Sequence, residues 1–167
     1  MLPSAAPAIP YDGWIPLGVR HQERRAPRIV PPGDAQPRAL VQWGYGHGPV
    51  VLGFLHGETC LSCWTLVEEW SRHSATYAAY ETTLVAVVPQ VPQRWAPGVW
   101  FIPDPKGAIR QQYETWLAPV PSPGVMVVIL DPFASPWAIW TGSEPHPEAI
   151  HRGLVEWLTF IGLQCPE

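Results

Sequence analysis

Short apolar runs alternate with stretches of helical periodicity along most of this chain. Val50 to Leu55 (VVLGFL) is an unbroken apolar run of strand length, the pattern of a buried strand. Over Cys63 to Tyr80 the spacing becomes helical. Cys63, Val67, Trp70 and Tyr77 recur on one face with Leu66 beside them, while Glu68, Glu69 and Arg72 face away. Thr82 to Val88 (TTLVAVV) is β-branched and apolar, and Pro89 ends it. Strand, helix and strand in this order predict a βαβ unit with parallel strands and a right-handed crossover.

A proline-rich connection follows, then a short strand over Trp100 to Ile102. Asp104, Pro105, Lys106 and Gly107 read as a turn, and Ala108 to Trp116 as a short helix with Ile109 and Tyr113 one turn apart. Val125 to Leu130 (VMVVIL) is the next strand; Asp131 to Ser135 turns, and Trp137 to Thr141 returns antiparallel. Pro147 opens a last helix where its missing N–H costs nothing, and Ile150, Leu154, Trp157, Leu158 and Ile161 give it one apolar face. Residues 1–25 read as an arm. Prolines 3, 7, 10 and 16 exclude regular structure there, and Trp14, Ile15 and Leu17 would pin it to the body. The predicted organisation is an arm over 1–25 and one domain over 26–167, with no internal repeat.

Composition narrows the function classes. Of 167 residues, 47% are apolar and 14% charged, enough apolar material for a core and against global disorder. A net charge of −4 argues against nucleic acid as the main partner. The apolar runs are too short for a membrane span. Arg20 to Arg28 concentrates four arginines and one histidine against Glu23, a solvated basic segment or, alternatively, an anion site. The first residues (MLPSAAPAIPYDGW) have no basic n-region and no apolar stretch with a cleavage site, which sets a cytoplasmic expectation. A periplasmic form with its leader removed would read the same way.

The chain has 3 cysteines, Cys60, Cys63 and Cys165. Cys60-Leu61-Ser62-Cys63 falls where the first strand of the βαβ unit turns into its helix, and a C-x-x-C there points to redox chemistry. The first-turn N–H groups of a helix have no intrahelical partner, and with the helix dipole they favour a thiolate at Cys60. Cys60 is then the attacking sulfur, and Cys63, one turn on and more buried, resolves the mixed disulfide. Two inert buried thiols are the bland alternative. A metal site would need Cys60, Cys63 and His56 plus a further ligand, and no second C-x-x-C or H-x-x-x-H exists, so the metal expectation is none. Cys165 is either a frayed-end thiol or the partner of an interchain disulfide, which would make a homodimer.

The layout resembles the thioredoxin superfamily, nearer its peroxiredoxin-like (redoxin) branch, from about Ala26 to Trp157. The segments similar to that branch are Ala26-Pro27-Arg28-Ile29, Val50 to Phe54, Phe101 to Tyr113 (FIPDPKGAIRQQY) and the strand Val127 to Asp131. The resemblance implies a thioredoxin-like α/β fold, a central mixed sheet flanked by helices with an N-terminal extension. It also implies Cys60 as nucleophile and Cys63 as resolving thiol. Peroxiredoxins carry a threonine or serine three positions before the reactive cysteine, so an alternative alignment makes Cys63 peroxidatic, with Cys60 and His56 in the threonine and proline places. The family's cis-proline is matched by Pro123 only with a shifted loop; Pro123, Gly124 and Trp64 are the candidates for substrate docking. Val125 stands where peroxiredoxins have an arginine, and Gly53 where thioredoxins have a buried acid. Glu58 or His56 could relay protons.

The expected function is a thiol–disulfide oxidoreductase with no bound cofactor, acting on protein or small-molecule disulfides and recharged by a thiol reductant protein. A weak thiol peroxidase and a non-catalytic thioredoxin-fold module binding a partner or metal are the competing readings. Trp64, Trp95 and Trp100 could line an apolar docking surface, although core packing accounts for most tryptophans.

Overall fold

The computed structural model describes residues 13–18, 25–31, 39–41, 48–57, 59–94, 96–118 and 124–164. Pro123, Glu58, Trp95, Cys165 and most of the Arg20–Arg28 segment lie outside the described residues. Six strands form one sheet: β1 (Trp14–Pro16), β2 (Val50–Phe54), β3 (Thr83–Val88), β4 (Val99–Pro103), β5 (Val125–Leu130) and β6 (Pro136–Gly142), in the order β1-β6-β5-β2-β3-β4. The helices are α1 (Leu61–Arg72), α2 (Ser74–Ala79), α3 (Ala108–Leu117) and α4 (Pro147–Gln164).

The apolar runs become the sheet's centre. β2 pairs parallel with β3 and antiparallel with β5, and every residue of β2 and β5 is buried. A strand projects alternate side chains to opposite faces. Val51, Leu84, Ala86, Val127 and Ile129 therefore join one core with Trp70 of α1, Tyr77 of α2 and Trp157 of α4. Leu52, Phe54, Val85, Val87, Met126 and Val128 join the other, with Tyr113 and Leu117 of α3 and the segment around Ile29 and Val41. Helices on both faces require strands without a polar face, which is why these runs read as continuous rather than alternating.

Two expectations are corrected. Trp14–Pro16 is a strand, paired antiparallel with β6 through Trp14↔Trp140, Ile15↔Ile139 and Pro16↔Ala138. Proline is tolerated because it closes an edge strand, where an N–H need not enter a ladder. Trp14 and Leu17 are buried, as pinning residues should be, while Ile15 is exposed. The helix expected over 63–80 is two helices. The chain turns at His73 (φ −101°, ψ 22°). Beyond that turn Tyr77 is buried, with its hydroxyl 2.7 Å from His151 Nδ1 of α4.

Candidate active site

β2, in the middle of the sheet, delivers the chain to the C-terminal end of the parallel strands. Its pairing runs one residue past the strand, with Leu55 N–H donating to Val87 O at 3.0 Å, and a turn closed by Cys60 N–H on Gly57 O (3.0 Å) leads into α1. Cys60 is the N-cap of that helix, with extended backbone (φ −86°, ψ 100°), and its Sγ accepts a 3.2 Å hydrogen bond from Cys63 N–H. A sulfur thus takes the place of the usual cap oxygen. Cys60 and Cys63 form a disulfide with Cα atoms 5.2 Å apart. Cys60 is half-buried and Cys63 only 3% exposed, whereas Leu61 between them is 74% exposed. The outer sulfur is the one a second molecule can reach.

Different surroundings meet each sulfur. Cys63 backs onto a small apolar pocket of about 20 Å³ with His56, Trp64, Val88, Pro92 and Phe101 in its wall. There Trp64 stacks on Phe101 at a centroid distance of 6.4 Å, and the Arg94 guanidinium carbon lies 5.0 Å from the Trp64 ring centre. On the Cys60 side, Ser62 Oγ is 3.6 Å from Cys60 Sγ and donates to Glu144 Oε1 at 3.1 Å. His56, exposed, has Nε2 3.3 Å from Ser143 O. His56 also borders a larger cleft of about 440 Å³ that reaches Asp104, Lys106, Arg110 and Gly124. In it the Asp104 carboxylate accepts from Ile109 N–H (3.1 Å) and Arg110 N–H (3.0 Å), capping α3. The Arg110 guanidinium bonds Glu114 (2.9 Å) and the Gly124 carbonyl.

Of the residues named from sequence, Cys60, Cys63, His56 and Trp64 come together here. Trp64 is almost fully buried, a wall of the Cys63 pocket rather than an exposed platform. Gly124 is buried beside the turn after β6. Trp100 does not join Trp64. It neighbours Phe101 along β4, so the pleat sends it to the opposite face, where it is 45% exposed and lines a separate depression with Leu40 and Thr82. Gly53 leaves room for an aromatic ring: a Cβ there would stand 2.9 Å from Trp70 Cη2, so the indole fills the space a side chain at 53 would need. Among the described residues no group of three or more His, Cys, Asp or Glu side chains is arranged to hold a metal ion. Sequence reasoning places Leu61 and Ser62 between the cysteines as residues that bias the redox potential, but it missed Glu144, the partner of Ser62. Ser62 and Glu144 are 82 residues apart, and no local pattern joins them.

No protein-family model matches the chain, and no curated protein matches it. Solved structures do. The peroxidoxin BcpB of Mycobacterium tuberculosis superposes with a TM-score of 0.61 at 13% identity, over 86% of this chain and 97% of that one. A secreted thiol-disulfide isomerase from Corynebacterium glutamicum gives 0.61 at 15%, over 89% and 93%. A protein from Chlorobium tepidum assigned as the thiol:disulfide interchange protein DsbE gives 0.55 at 21%, over 80% and 95%. The fold is thioredoxin-like. The mixed sheet flanked by helices agrees with the resemblance read from the sequence, and the disulfide opens the helix that follows β2 in this thioredoxin-like fold.

Proposed function

We propose that this chain is a thiol–disulfide oxidoreductase working through Cys60 and Cys63. The observation that carries the reading is the half-buried Cys60 sulfur at the N-cap of α1, with the Cys63 N–H directed at it and Cys63 bonded behind it. In the reduced protein the Cys60 thiolate attacks one sulfur of a substrate disulfide. The substrate S–S bond breaks, a mixed disulfide forms, and the departing sulfur takes up a proton. Cys63, as thiolate, then attacks Cys60 Sγ and expels the second substrate sulfur, which is protonated in turn. Two electrons have passed to the substrate and the Cys60–Cys63 disulfide has formed, to be reduced again by an external dithiol. The names of two of the structural neighbours, a thiol-disulfide isomerase and a thiol:disulfide interchange protein, favour the same chemistry, while that of the peroxidoxin favours the peroxidase alternative. The substrate docks on the side where Leu61 is exposed, near Gly124.

The test is reduction of a protein disulfide by the wild-type chain and by single variants. Cys60→Ser should abolish turnover, and Cys63→Ser should trap a mixed disulfide on Cys60. Full activity in Cys60→Ser sinks the assignment. Peroxide consumption lost in Cys63→Ser but kept in Cys60→Ser would favour a thiol peroxidase instead. The midpoint potential sets direction: a low value makes the protein a reductase suited to the cytoplasm, a high one an oxidase of an oxidising compartment.

A further inference from the structure

Glu144 sits on the turn between β6 and α4, and that turn is held from two sides. His56 Nε2 lies 3.3 Å from the Ser143 carbonyl. Gly124 packs so closely that a Cβ on it would be 2.4 Å from the Gly142 carbonyl oxygen and 2.8 Å from Ser143 Cα. The carboxylate is therefore carried on a constrained turn, and its Oε1 accepts the Ser62 hydroxyl at 3.1 Å.

A hydroxyl has one proton to give. While Ser62 donates to Glu144, only its lone pairs are left for Cys60 Sγ, 3.6 Å away. In the dithiol state the Cys60 S–H can donate to that oxygen. All donors then point outward, from Cys60 to Ser62 to the Glu144 carboxylate. This polarity favours the protonated thiol and opposes the Cys63 N–H, which points at the same sulfur from the helix and favours the thiolate. A neutral amide at 144 accepts a hydrogen bond more weakly than a carboxylate, so the Ser62 proton turns toward the sulfur more readily. Among the described residues, the other charged or titratable groups on elements meeting here are His56 after β2, Arg94 over the Trp64 ring, His146 two residues past Glu144 and against Trp140, Glu68, Glu69 and Arg72 further along α1, and Glu148, His151, Arg152 and Glu156 of α4. Among the described residues, only Glu144 is joined to Cys60 through hydrogen bonds to Ser62.

We infer that Glu144 is a positioning residue that acts through Ser62 to hold down the thiolate fraction of Cys60, so that the turn after β6 tunes the reactivity of the dithiol. The inference rests on the oxidoreductase reading above. It is tested by titrating the Cys60 thiolate of the reduced full chain, by ultraviolet absorbance and by alkylation rate against pH, and by measuring the midpoint potential. The proteins compared are wild type, Glu144→Gln, Ser62→Ala and the double variant. Glu144→Gln should lower the apparent thiol pKa by about half a unit to one unit, roughly a three- to ten-fold larger thiolate fraction below that pKa, and make the protein more oxidising. In the Ser62→Ala background the same change should do little. An unchanged titration in Glu144→Gln overturns the inference while the wild type stays active. So does an equal shift with and without Ser62, which would mean that the charge acts through space. A wild-type chain with no titrating thiolate and no disulfide exchange overturns the oxidoreductase reading and this inference with it.

Discussion

Gly153→Ala tests whether Trp14 is the wedge that joins the first strand to the last helix. Trp14 is fully buried, and a Cβ built on Gly153 in α4 would stand 2.1 Å from its indole Nε1 and 2.5 Å from its Cδ1. Two effects oppose each other. Replacing glycine by alanine in a helix interior stabilises by about 1 kcal/mol. Contacts this short force the ring or the helix to move, which puts the cost in the upper part of the range for overpacking a close-packed core, about 2–3 kcal/mol. Relief by swinging the indole out is closed, because it would forfeit about 3 kcal/mol of aromatic burial and loosen a strand held by three residue pairs. The clash wins. The variant should be less stable by about 1–2 kcal/mol, a fall in melting temperature on the order of 2–8 °C for a chain of this size. Urea unfolding followed by tryptophan fluorescence and circular dichroism measures it. Trp14→Leu combined with Gly153→Ala should lose less than the two single changes summed, by at least about 0.5 kcal/mol, because the smaller side chain vacates the space. An unchanged or raised midpoint in Gly153→Ala would refute the close approach and the seating of β1 against α4.

Two further outcomes follow from a partly buried and a buried polar group. His151 is held below the ordinary histidine range by burial, then by His73, stacked on it at 4.0 Å between centroids, and by Arg72. The unfolded chain therefore takes up the His151 proton more readily than the folded one. This contribution to stability is full above the unfolded pKa of about 6.5 and is lost as pH falls through the histidine range. Urea midpoints for wild type and His151→Phe at pH values either side of that range should diverge, with the wild type losing more on acidification; equal slopes would contradict it. Asp131, buried at the end of β5, accepts from Phe133 N–H (2.8 Å), Ser135 N–H (3.0 Å) and Trp137 Nε1 (2.9 Å). Asp131→Ala strands three donors and should cost about 3 kcal/mol, against which a loss below about 1 kcal/mol by chemical denaturation would count.

Sequence alone determined the parts whose physics is local. Period and length separated strands from helices, since a run such as VMVVIL has no polar face and must be covered on both sides. The placement of Cys60 and Cys63 followed from where a strand run stops and a helical period starts, so the disulfide site was legible from spacing. The redoxin-like order of segments made the fold class legible as well. Tertiary structure decided what joins elements far apart in the chain. Trp14–Pro16 is a strand only because β6 supplies its partners and Gly153 leaves room for its tryptophan. The helix turns at His73, where His73 stacks on His151 of a helix some 70 residues on. Trp64 and Trp100 parted because the pleat of β4 put Phe101, and not Trp100, on the Cys63 side. Glu144 came to Ser62 only when the sheet brought the turn after β6 beside the start of α1. Periodicity reports which face of an element is apolar; it carries no information about which distant polar group that element will meet.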